Sequence, residues 1–207
     1  MSGEPLSDTR RYHHGDLRRA LIEAALALVT EEQDWGFSLR EVARRAGVSH
    51  NAPYNHFVEK KDLLAAVAAA GFETLRERML SAIAGIDDPR AALPACARAY
   101  VLLGVENPAL FRLMFGPALV SRPEVAKAAG AQAKAVLEDI VRRGAAIGAF
   151  AVSPTSESEL AAATLAIWSA VHGLTLLVID EVAGPQIAVD TAVDDLMRFQ
   201  FQGLAPR

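Results

Sequence analysis

The sequence is poor in cysteine: Cys96 is the only one among 207 residues. No disulfide can form within the chain, and the composition fits a reducing cytosol. Met1 to Arg19 is polar and charged and has no apolar core, so a secretory signal peptide is not expected. Nor is there an excess of positive charge, since the formal net charge is −4. Strand-like alternation of apolar and polar residues persists nowhere, and there are no repeats or low-complexity tracts. No nucleophile–base set, metal-ligand spacing or phosphate-cradling loop is visible, so neither an enzyme nor a metal or cofactor site is expected. His13 and His14 are adjacent and project differently, and no cysteine or acidic cluster completes a metal site with them.

What the chain does have is helix-forming residues. Hydrophobic residues make up 52% and charged residues 22%, which marks a chain that folds. Alanine dominates the apolar set, arginine far outnumbers lysine, and Ala, Leu, Arg and Glu all favour helix. The charge is also divided. Residues 10–61 carry nine bases and seven acids, net +2; from Ser81 onward ten bases face thirteen acids, net −3. This mild asymmetry permits nucleic-acid binding by the first segment without requiring it.

Helical spacing predicts an all-α fold of about nine helices. Asp16 is placed to cap a helix with Leu17, Leu21, Ala25, Leu28 and Val29 on one face. Ser38 caps a short helix over Leu39–Ala46, with Glu41 at the capping-box position, and Gly47 ends it. Ser49 opens the next, His50 to Phe57. A longer helix runs from Lys60 to about Leu80. The stretch Gly85-Ile86-Asp87-Asp88-Pro89 is the clearest boundary. It suggests an arm and first domain over 1–60, a connecting helix over 61–86 and a second domain over 87–207. In that second domain Asn107-Pro108 opens a short helix, Ser121 with Glu124 and Ser156 with Glu159 read as capping boxes, and Gly184-Pro185 closes the penultimate helix. A last helix carries Val189, Val193, Leu196, Met197 and Phe199.

Leu160 to Ile179 is apolar and long enough to span a bilayer. His172 near its middle, acids at both ends and no flanking Lys or Arg favour a helix half-buried in the fold and half-paired with a partner. A charge at Val171 or Val178 is therefore expected to disrupt a dimer or its core.

The most informative stretch is 38–57. Two short helices joined by a tight turn at Gly47 are the elements of a helix-turn-helix. Val42 and Ala43 point inward, Ala46 lets the helices cross closely, Val48 plugs the corner and Phe57 seals the second helix. Ser49, His50, Asn51, Tyr54, Asn55 and His56 remain outward on a unit of major-groove size. Spacing alone leaves an ordinary helical hairpin equally open.

The pattern Ser38…Val42-Ala43…Ala46-Gly47-Val48-Ser49…Tyr54…His56-Phe57…Lys60/Lys61…Leu63-Leu64, within residues 14–64, resembles the tetracycline-repressor (TetR) family. Trp168-Ser-Ala-Val-His172-Gly173 further resembles the Trp-His-Gly type of C-terminal domain in that family. The resemblance implies a ligand-responsive DNA-binding regulator. Ser38, Tyr54, His56 and Lys60 or Lys61 would then contact phosphates, and Ser49, His50, Asn51 and Asn55 would read bases. Arg10 and Arg11, ahead of the first helix, would reach the minor groove or the backbone. Pro53 departs from the commoner pattern and disfavours helical geometry at Ala52. Tyr100, Phe111, Met114, Phe115, Trp168 and His172 are candidates for contact with a small apolar effector. Each also has a plain reading as core, with His172 a hydrogen-bonded core histidine and Cys96 a small buried hydrophobe. The implied partners are a near-palindromic double-stranded operator, an effector and a second copy of the chain, in the cytoplasm and on the nucleoid, with no membrane.

Overall fold

The computed structural model describes residues 14–117, 123–182, 184 and 188–204, with side chains described between 17 and 202. Arg10, Arg11 and His13, the side chains of His14 and Asp16, and Ser121 and Pro185 lie outside the described parts. Eight α-helices and one 3-10 turn account for the described fold, and no strand occurs among these residues. The helices are α1 His14–Glu32, α2 Leu39–Arg45, α3 Lys60–Ala82, α4 Pro89–Glu106, α5 Pro108–Phe115, α6 Glu124–Ala146, α7 Glu157–Ile179 and α8 Val189–Leu204; the 3-10 turn is Ala52–Asn55.

Local chemistry explains most of these ends. The Ser38 hydroxyl accepts the Glu41 amide at 3.2 Å and starts α2. The Glu41 carboxylate does not complete a box there; it lies 3.6 Å from Arg44. Gly47 follows α2 at φ 68°, a left-handed conformation that only glycine adopts without strain. A reciprocal box opens α3: Glu59 takes an N3 amide, and the Asp62 carboxylate accepts the Glu59 amide at 2.9 Å. Ser156 caps α7 through the Glu159 amide, while the Glu159 carboxylate accepts the Ser153 amide instead of closing a box. Asn107 and Pro108 start α5 as expected, whereas α6 follows Pro123. Helix α1 begins at His14, ahead of Asp16, and α7 stops at Ile179, before Gly184.

The expected helix His50–Phe57 is replaced by one 3-10 turn. Pro53 supplies the reason. It has no N–H to bond the Ser49 carbonyl, and its ring disfavours α geometry at Ala52. The Ala52 amide bonds Ser49 O at 3.0 Å and the Tyr54 amide bonds Asn51 O at 3.2 Å, both three residues back.

One continuous core runs through the molecule. Leu21, Ala25, Leu28 and Val29 of α1 pack with Val42 of α2, Phe57 and Leu63. Helix α3 extends that packing into the larger bundle, lying mainly against α6 and α4, with α4 also against α7 and α8. Close approaches need small residues. A Cβ at Gly71 would sit 2.6 Å from Met114 Sδ, and one at Gly104 would collide with Thr175 Cγ2. Helix α7 buries Leu160, Ala163, Thr164, Ile167, Val171 and Thr175 and leaves Leu165 and Leu177 exposed at 55% and 46%. Phe199 of α8 is also exposed, beneath the Arg198 guanidinium at 4.6 Å.

Candidate DNA interface and ligand cavity

The first site is a turn held on a buried scaffold. Val42, Ala43, Ala52, Pro53 and Phe57 are buried. Ser49, His50, Asn51, Tyr54 and Asn55 are exposed on the other side, Tyr54 by 51%. Val48, partly buried, packs at the corner. The turn is fixed from below because the Pro53 carbonyl accepts both His56 N–H at 3.0 Å and Phe57 N–H at 2.9 Å.

The basic residues around it are already oriented. The Arg18 guanidinium lies over the Phe57 ring at 5.4 Å and Lys60 Nζ over the Phe37 ring at 5.0 Å. Lys61 Nζ lies 3.0 Å from Glu59, whose hydrogen bond and charge raise the lysine pKa. Ser38 is exposed, and its hydroxyl oxygen accepts the Glu41 amide of α2. His56 is half-buried and its Nε2 is shut off from solvent.

The second site is a partly open cavity of about 240 Å³ lined by α3, α4, α5, α6 and α7. Phe72, Leu75 and Met79 come from α3, Leu93, Cys96, Ala97 and Tyr100 from α4, and Phe115 from α5. Helix α6 contributes Ala126, Lys127, Gly130, Ala131, Ala133, Lys134 and Leu137, and α7 contributes Ile167, Trp168 and Val171. Of the six expected ligand residues, the structure brings Tyr100, Phe115 and Trp168 to this wall. Phe111 and Met114 are fully buried and do not line it. His172 sits behind the wall: its ring stacks on Phe111 at 5.3 Å, and its Nδ1 is 2.8 Å from Tyr100 Oη. Trp168 Nε1–H donates to the same oxygen at 3.2 Å. The three side chains form one polar string, and His172 reaches the wall only from behind, against Tyr100, Phe115 and Trp168. Val171 is buried at the wall, so a charge there would attack the core and not a dimer face.

The cavity residues of α6 escaped the sequence reading. Lys127, Ala131 and Lys134 follow the spacing of an ordinary solvated face, and all three are exposed on their outer side. The small residues Gly130 and Ala133 were the signal, since Gly130 lies beside the Phe72 ring with room for no more than a methyl group in ordinary contact. Cys96 lines the same space, and burial pushes its thiol pKa up to about 12.

Residues 21–67 match the family model described as bacterial regulatory proteins of the tetR family. Residues 93–200, more than half of the chain, match that of the tetracyclin repressor-like C-terminal domain. The chain belongs to the TetR family. That C-terminal description does not mention the Trp-His-Gly type that the Trp168–Gly173 segment resembles. The fold is similar to that of a protein of unknown function from Rhodococcus sp. RHA1, at 29% identity and a TM-score of 0.78, over 95% of this chain and 100% of that one. A TetR family transcription regulator from Marinobacter aquaeolei VT8 shares the fold at 19% identity, with a TM-score of 0.64 over 92% and 96% of the two chains. The HTH-type transcriptional regulator BetI of Rhizobium meliloti is 31% identical over 81 residues. That match spans 39% of this chain and 40% of the BetI chain. This TetR-family chain is therefore a DNA-binding transcriptional regulator by family, with its helix-turn-helix inside the N-terminal match.

Proposed function

We propose that the protein is a homodimeric repressor in the cytoplasm, released from a near-palindromic operator by a small, largely apolar effector. The observation that carries this reading is the exposed polar surface of Ser49–Asn55 mounted on the buried Ala52, Pro53 and Phe57. Such a surface suits a groove edge-on, with Asn51 and Asn55 matched to adenine N6/N7. Ser38, Tyr54, His56, Lys60 and Lys61 surround it as phosphate contacts, and Arg10 and Arg11 would enter the neighbouring minor groove or lie on the backbone. Residues 1–60 form the DNA-binding arm and domain, 61–86 the connection, and 87–207 the ligand and dimer domain. The exposed apolar faces of α7 and α8, with Leu165, Leu177 and Phe199, pair two copies.

The connection between sites is physical. Helix α3 starts at the DNA face with Lys60 and reaches the cavity at Phe72, twelve residues or about 18 Å later. Helix α6 forms a cavity wall, and its Val125 lies in a groove with Arg18, Arg19 and Ile22 of α1. A ligand that prefers a displaced α6 shifts α1 and α3 with it and respaces the two DNA-contacting turns. The displacement extends only as far as the ligand's differential affinity for the two states drives it.

The test is selection of fragments from a random DNA library by the purified protein. A two-fold symmetric motif with half-sites about one helical turn apart is expected. Failure to enrich any motif overturns the repressor reading.

A further inference from the structure

Lysine is scarce in this chain, with only four against seventeen arginines, and the four fall in two pairs. Lys60 and Lys61 begin α3 beside the DNA-facing turn. Lys127 and Lys134 line the cavity from α6. They are seven residues apart, two turns or about 10 Å along one helix face, close enough for two long side chains to converge on one group between them.

The rest of the lining is apolar or neutral. Among the described residues no carboxylate lines the cavity, and Cys96 stays a thiol. The two ammonium groups are held only by neighbours on their own helix. Lys127 pairs with Glu124 at 2.8 Å and Lys134 with Glu138 at 2.8 Å, and all four side chains are at least two-fifths exposed. Exposed pairs of this kind are weak and exchange readily for a better-placed anion. Neither glutamate lines the cavity. A volume of about 240 Å³ lies below the usual range of about 300–1,000 Å³ for drug-sized ligands, so the occupant is small.

We propose that the cavity binds a medium-chain monocarboxylate. Its apolar tail packs among Phe72, Leu75, Leu93 and Ile167, and its carboxylate is held at the rim by Lys127 and Lys134. This rests on the reading of the cavity as the effector site and names the chemical class of the effector. Lys127 and Lys134 are the cationic side chains among the lining residues, so the charged head belongs there.

The test is isothermal titration of the full-length protein with hexanoate, octanoate, decanoate, decanol and decylammonium, each below its micellar concentration. Decanoate is expected to bind about tenfold tighter than decanol, and decylammonium no tighter than decanol. Affinity rises about fourfold per methylene from hexanoate to decanoate. In the Lys127→Ala/Lys134→Ala variant the preference for carboxylate disappears and decanol binds as before. Ala131→Trp places an indole between the two lysines at the mouth and excludes both ligands. Ala131 and both lysines are exposed, so all variants should melt close to the wild type. If decanol matches decanoate while Ala131→Trp blocks both, the cavity is a ligand site and the carboxylate class is wrong. Should the lysine variant keep the full carboxylate preference, the head lies elsewhere and the proposal fails. If Ala131→Trp leaves both titrations unchanged, binding is outside the cavity and the effector-site reading itself falls. Absence of binding by every member of the series overturns the ligand class.

Discussion

At the scale of single residues, the DNA-facing side chains divide by what they would touch. In the proposed function Tyr54 and Lys60 are assigned to phosphate, which carries charge but no sequence. Tyr54→Phe should weaken binding to every duplex alike, and Lys60→Ala should in addition flatten the slope of log K against log salt by about 0.9. A slope unchanged in Lys60→Ala, measured by fluorescence anisotropy, removes that lysine from the contact. Asn51 and Asn55 are exposed on the turn, and in the proposed function they are assigned to base edges. Alanine at either should erase about 1–3 kcal/mol of discrimination at one base pair of each half-site. A loss spread evenly over all positions contradicts base reading. Cys96 gives a pH prediction. Its thiol is held protonated, with a pKa of about 12, so the reactive thiolate is depleted until the solution approaches that pH. Iodoacetamide should label the native protein very slowly at pH 8 and faster as pH rises, whereas denatured protein labels readily. Rapid labelling of native protein at pH 8 contradicts the buried, neutral thiol.

At the scale of elements, the short-range chemistry of the helix ends was open to reading in part, since the Glu41 and Glu159 boxes do not close, and the long-range chemistry was not. The Ser38 cap, the Gly47 stop and the Asn107-Pro108 start all depend on neighbours within four residues, and all three are found. The 3-10 turn at Ala52–Asn55 depends on the same kind of rule, the missing N–H of Pro53, but the helix-turn-helix pattern on either side of it masks that local effect. The α6 wall was hidden for another reason. Lys127, Ala131 and Lys134 resemble any solvated stripe until α3, α4 and α7 come against their inner side. Trp168 and Tyr100 were legible as large aromatic groups on apolar helices; that Met114 and Phe111 pack behind the wall follows from the close approach of α5 to α3 at Gly71 and to α4 at Gly104. Two substitutions measure these element-level claims. No atom lies within 4 Å of a Cβ built at Gly47, so Gly47→Ala costs only the backbone strain of a positive φ. That is about 1 kcal/mol, or a fall in Tm of about 2–4 °C. Gly104→Ala meets Thr175 and Phe111 and should cost more, about 1–3 kcal/mol, by forcing α4 from α7. Calorimetry that ranks the two in the opposite order contradicts the close α4–α7 approach.

At the scale of the whole molecule, three features have to work together: a groove-facing turn, a cavity about 18 Å along α3, and an apolar face on α7 left uncovered in the single chain. The last is the only helix in the described residues long and apolar enough to cross a membrane, yet only 22% of its apolar window is buried within one chain. Its inner side packs in the bundle and its outer side is what a second copy would cover. Leu165→Asp with Leu177→Asp should give a folded monomer by sedimentation and a half-site affinity for DNA; a dimer that survives both charges moves the interface elsewhere. The claim on which all of this depends is that the turn from Ser49 to Asn55 lies against duplex DNA. Anisotropy of the wild-type protein on a library-selected duplex, titrated from low to physiological salt, tests it most directly. The account predicts tight binding at low salt that weakens steeply and linearly on a log–log plot. Intact, folded protein that binds no duplex at low salt contradicts it.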